Sequence, residues 1–156
     1  MADYLDGKIY PVGTAGIEGI GFSFTRPEGI TNYSLVNAAI ALRIWRLEGT
    51  VKLSDGTIPD KTRALPPVVG GPTITLTVGT GLSLTTNTAA LLEGAIRMTQ
   101  AQLVTLLGTA TVGAYSYQWV ITPVGYGAAN KPLGEGYNGV FGLVAEGYSL
   151  EAAAKA

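Results

Sequence analysis

The sequence predicts a mainly β protein, antiparallel in its pairing, with one or two short helices and an extended N-terminal arm. Three observations carry that expectation. Gly113 to Pro123, GAYSYQWVITP, sets Tyr115, Tyr117, Trp119 and Ile121 at every second position, with Ala114, Ser116, Gln118 and Val120 between them, the period of a strand with two distinct faces. TITLTV, Thr73 to Val78, alternates Thr73, Thr75 and Thr77 with Ile74, Leu76 and Val78, as a half-buried antiparallel strand does. Gly13, Gly16, Gly19, Gly21 and Gly29 fall among single apolar residues near the N-terminus, which suits an extended arm or short strands better than a helix.

Taken in order, the first element is an arm. YPVGTAGIEGIGFSFTRPEG spaces Gly13, Gly16, Gly19, Gly21 and Gly29 among single apolar residues, and Phe22 and Phe24 alternate with Ser23 and Thr25 as a brief strand. In TNYSLVNAAIALRIWRLEG, Val36, Ile40, Ile44 and Leu47 recur at helical spacing, Asn32 or Ser34 can cap the start, and Gly49 can end it; the expectation is a helix. The rival is a strand on Ile40, Leu42 and Ile44. Asp55-Gly56 between short alternating runs predicts a hairpin. LPPVVGGP, Leu65 to Pro72, is too rich in proline and glycine for a regular element and reads as a linker or crossing segment. After TITLTV, GLSLTT repeats the strand pattern. MTQAQLVTLLG predicts a short helix, with Thr99 and Gln102 at capping-box spacing, an apolar side of Leu103, Leu106 and Leu107, and Gly108 at the end. The Tyr-Tyr-Trp strand follows, then a turn through PVGYGAANKPLG, then YNGVFGLVAEG as a closing strand. LEAAAKA reads as a helical spacer or a frayed helix end. The organisation expected is an arm with helix and hairpin over 1–70, a β domain over 71–149 and a tail over 150–156.

Composition narrows the function. The chain has 156 residues, of which 47% are apolar and 13% charged, with a net charge of -1. That fills a core but lacks the basic footprint of a nucleic-acid binder, so no nucleic-acid partner is expected. There is no cysteine and no histidine, which removes disulfides, thiolate nucleophiles, the usual general base and the commonest metal ligand. No catalytic, cofactor or metal residues are expected. No apolar run approaches the roughly 18 residues of a bilayer span, so the expectation is a soluble chain made in the cytoplasm, with no membrane partner. Low charge and positive mean hydropathy imply that part of the surface is covered by another chain. Closed symmetry is the usual solution, hence an expected homo-oligomer.

The motifs are few. GEGYNG, Gly134 to Gly139, matches the dinucleotide-binding pattern formally, but the β-type residues Val140, Phe141, Leu143 and Val144 follow it where a helix would be needed. The acidic residues are scattered, nothing selects a pair, and Asp55 reads as a turn former. Tyr115, Tyr117 and Trp119 fit either a sugar-stacking platform or the buried face of a central strand, and the core reading is the stronger. Tyr10, Tyr33, Tyr126, Tyr137 and Tyr148 lie near loops and ends as possible interface anchors. Arg43, Arg46, Lys61 and Arg63 form a solvated face or a contact for an acidic partner.

From Thr73 to Glu146, the order of alternating strands, capped helix, Tyr-x-Tyr-x-Trp strand and Gly-rich closing strand resembles the small immunoglobulin-like β-sandwich domains of tailed-bacteriophage virion proteins. Thr99, Leu106, Gly113, Tyr115, Tyr117, Gly136 and Val140 carry the likeness. The resemblance implies an antiparallel immunoglobulin-like β-sandwich and a structural, non-enzymatic role in the virion. It points to a capsid decoration or cement protein that clamps the major capsid protein or other virion subunits, and by analogy to a trimer. The alternatives are a tail, baseplate or fibre subunit, or a glycan-binding β-sandwich module. The arm, with Ile9, Tyr10, Ile17, Ile20, Phe22 and Phe24, is the expected grip on a neighbour, because its apolar residues have little room in an isolated domain and its glycines are costly to order alone.

Overall fold

Among the described residues the chain forms nine strands, most of them with alternating burial, and one helix. The computed structural model describes residues 2–3, 5–12, 16–29, 31–49, 51, 57–58, 62, 65–124 and 138–145. The strands are β1 (Ala2–Asp3), β2 (Ile9–Pro11), β3 (Ile17–Thr25), β4 (Ser34–Arg46), β5 (Thr73–Val78), β6 (Gly81–Asn87), β7 (Leu91–Met98), β8 (Val112–Val124) and β9 (Asn138–Val144), with α1 (Gln100–Leu107) between β7 and β8. The protein is mainly β, as the alternation predicts.

The strand order is β1-β3-β7-β6-β5-β4-β8-β9-β2. All pairs are antiparallel except β2 with β9 and β5 with β6. The β5–β6 junction holds only two register pairs, Thr77 with Gly81 and Val78 with Leu82. The sheet therefore consists of two runs, β1-β3-β7-β6 and β5-β4-β8-β9-β2, joined at a bend. The runs face each other: Phe22 and Phe24 of β3 lie 4.8 and 5.0 Å, ring centre to ring centre, from Trp119 of β8, although four strands separate β3 from β8 in the order. Leu42, Ile44, Leu76, Leu92, Ile96 and Met98 fill the space around these rings. Burying apolar faces from both runs is what closes the sheet on itself.

The expected helix over 31–49 is instead the long central strand β4. Ala38, Ile40, Leu42 and Ile44 are buried at every second position, whereas Val36, which the helical spacing requires to face inward, is exposed. Ile40 and Ile44 satisfy both periods, and pairing with β5 and β8 on either side decides for the strand. Near its start, a register shift between Ser34 and Ala39 accompanies Asn37 at φ 57°. The backbone N–H of Asn37 donates to Asn87 Oδ1 of β6 (2.9 Å), and Asn87 Nδ2 donates to Asn37 Oδ1 (3.0 Å). This amide pair bridges the two runs at their rim.

The N-terminal segment is no free arm. β3 pairs along β7 from Ile17 to Thr25. Residues 5–12 are bonded along β9: Gly7 N–H to Val140 O, Gly142 N–H to Lys8 O, Val12 N–H to Val144 O, and Val140 N–H to Asp6 Oδ1. Strands from before residue 70 and after it pair with one another in the same sheet, across the expected boundary at 70. The linker Leu65 to Pro72 is irregular as expected, held to the end of β4 by Val68 N–H to Arg46 O. The expected hairpin at Asp55-Gly56, most of the turn through PVGYGAANKPLG and the tail LEAAAKA lie outside the described residues.

α1 carries the expected capping box. Gln102 N–H donates to Thr99 Oγ1 (3.2 Å) and Thr99 N–H to Gln102 Oε1 (2.9 Å); Leu103, Leu106 and Leu107 are buried and Gly108 closes the helix at φ 62°. β7 was not expected from the sequence; Glu93 and Gly94 interrupt its pattern, and Leu92, Ile96 and Met98 carry its buried face.

Candidate functional site

The strand most suggestive of a site, β8, turns its aromatic face fully inward. Tyr115, Tyr117 and Trp119 are each 0% exposed, and Phe141 of β9 packs beside Tyr115 (ring centres 5.6 Å apart) and Tyr117 (6.1 Å). A ring without exposed surface cannot stack on a sugar, so the glycan platform built on these three residues is excluded. Tyr126 and Tyr137, the loop aromatics of the other glycan version, lie outside the described residues, as does Tyr148.

The polar end of this strand has a structural task. Tyr115 Oη donates to the carbonyl of Leu106 at 2.8 Å, inside the core. Burial pushes its phenol up to about 12, against a smaller downward pull from the Arg46 guanidinium. Arg46 in turn reaches the carbonyls of Leu107 (3.5 Å) and Val112 (3.3 Å). Tyr115 and Arg46 together tie the C-terminal end of α1 to β8 and β4. Arg46 is thereby engaged within the chain, Arg43 is exposed on β4, and Lys61 and Arg63 fall outside the described residues.

The residues expected to grip a neighbour separate into two sets. Ile17, Ile20, Phe22 and Phe24 are buried in this chain's own core, where Phe22 and Phe24 meet Trp119. Their apolar area is covered by this chain's own core, unlike the exposed grip expected from the sequence. Ile9 and Tyr10, on β2, are half-buried against the core, and burial raises the Tyr10 phenol.

Among the described residues there is no group of three His, Cys, Asp or Glu side chains that could hold a metal. Among the described residues, no helix is long and apolar enough to cross a membrane. Among the described residues, one concavity of about 270 Å³ runs beside α1, lined by Val12, Gln100, Val104, Leu107, Ala110 and Ala145, without an ionisable group. Another, at the β5–β6 bend, has Arg97 on its wall, and Arg97 pairs with Glu18 at 3.0 Å on the open surface. Comparisons with family models, with curated proteins and with solved structures found no match to this chain.

Proposed function

We propose that this chain is a non-enzymatic structural protein of a bacteriophage particle, a capsid decoration or cement protein built on an immunoglobulin-like β-sandwich. The observation that carries the fold part is the Tyr115–Leu106 bond in its setting. An immunoglobulin-like sandwich pairs strands A-B-E-D in one layer and C′-C-F-G in the other, and a tyrosine near the start of strand F bonds back to the backbone at the E–F corner. On this reading β1-β3-β7-β6 supplies the first layer and β5-β4-β8-β9 the second. Tyr115 then stands at the corner, after the helix that connects E to F.

The step from fold to function rests on the sequence resemblance of Thr73 to Glu146 to virion domains, because this architecture by itself hosts many functions. An aromatic core with no histidine or cysteine, and sparse surface charge, suits a protein whose task is to keep a shape on a particle surface. Mass spectrometry of purified particles from the source encoding this chain tests the proposal. Many copies per particle are expected; a few copies would place the protein in the tail or baseplate, and its absence from the particles would refute a virion role.

A further inference from the structure

We infer that the free edge of β5 is a self-pairing surface, and that two copies of this chain join there across a two-fold axis centred on Ile74. This goes beyond the proposed virion role and does not depend on it. Backbone groups alternate sides along a strand, and Thr77 spends its N–H and C=O on Thr80 at the β6 bend (3.0 and 2.8 Å). Thr73 and Thr75 therefore direct theirs to the same side, away from β4, where β6 pairs only with Thr77 and Val78. Both threonines are exposed.

The other edges among the described strands carry features that discourage pairing. Beyond β1, which covers β3 only at Phe22 and Ser23, β3 has a register shift between Ile17 and Ile20, with Gly19 at φ 78° and the charged Glu18. The β2 edge contains Pro11. β6 has a register shift between Leu84 and Thr86. β5 keeps an unbroken register with β4 from Thr73 to Thr77 and has neither charge nor proline.

The occupant is a second copy because the edge complements itself. In an antiparallel two-fold pairing, Thr73 and Thr75 of one copy exchange backbone bonds with Thr75 and Thr73 of the other, and the threonine side chains face each other as favourable cross-strand pairs. No like charges meet. Ile74, only half-buried in the single chain, comes to lie against its own counterpart in the close, non-hydrogen-bonded position. The same register brings the turn bearing Val69, 95% exposed, toward the exposed Val78 end of β5 in the other copy.

The test uses the full chain. Sedimentation over a concentration series is expected to show a monomer–dimer equilibrium. Thr75→Pro removes a donor that makes no bond among the described residues, and Thr75→Lys adds a charge to the exposed edge; each should weaken the dimer at least about tenfold while leaving the circular dichroism spectrum unchanged. Ile74→Cys, in a chain without native cysteine, should form a disulfide-linked dimer under mild oxidation. A monomer at every concentration, a trimer, or a dimer indifferent to both Thr75 variants and not cross-linked through position 74 would each overturn the proposal.

Discussion

Tyr115 shows how one residue joins three elements. Its ring is part of the core, and its hydroxyl satisfies the Leu106 carbonyl at the end of α1. Tyr115→Phe keeps the ring but leaves that acceptor without its donor, and should lower unfolding free energy by about 1–3 kcal/mol in urea denaturation. The same residue sets a pH limit. Its folded-state value is raised to about 12 from 10.0, so its contribution is complete below pH 10 and is lost as the pH rises from 10 through 12, where the unfolded chain ionises first. At most this amounts to about 3 kcal/mol. Denaturation midpoints measured from pH 8 to 11.5 should fall above pH 10, and Tyr115→Phe should fall less steeply. Gly94 offers a steric counterpart. A Cβ there would collide with the Ser83 carbonyl and come within 2.8 Å of the Phe22 ring, so Gly94→Ala should destabilise by roughly 1–3 kcal/mol, seen as a lower melting temperature.

At the scale of elements, local chemistry was legible wherever it was self-sufficient. The capping box at Thr99 and Gln102 needs no tertiary partner, and TITLTV and GAYSYQWVITP state their period without interruption. Thr99→Ala should cost about 1 kcal/mol by removing the cap, measured by thermal unfolding. Elements went unread where a tertiary contact breaks the period or decides between two. Ile17 and Ile20, both buried, stand three apart because the register shift around Gly19 inserts one extra residue between them, and this made an integral strand look like a glycine-rich arm. Ile40 and Ile44 fit helix and strand alike, and only the flanking β5 and β8 settle the choice. In β7, Gly94 occupies a position where packing against Phe22 leaves no space for a side chain, so its apolar pattern has a gap. Deleting residues 2 to 29 removes Ile17, Ile20, Phe22 and Phe24 from the core. At about 1.5–3 kcal/mol each, roughly 6–12 kcal/mol is lost from a typical domain stability of about 5–15 kcal/mol, so the truncated chain should be unfolded by circular dichroism.

Across the described residues the N-terminal strands are as much a part of the core as the Tyr-Tyr-Trp strand, so they are expected to unfold as one cooperative unit. The buried face of β8 was legible because its large alternating side chains demand burial; its partners in β3 and β9 were not, since nothing local to Phe22, Phe24 or Phe141 indicates which strand lies across from them. The structural role proposed for the chain depends on this unity, because a particle component that holds a shape must not shed a strand. Native-state hydrogen exchange tests it most directly. The account predicts that amides of β3 paired with β7, such as those between Ile20 and Phe24, exchange with the same opening free energy as the central amides of β8 and with the same dependence on denaturant. Rapid exchange throughout β3 while β8 remains protected would contradict it, and would return residues 2 to 29 to the status of a detachable arm.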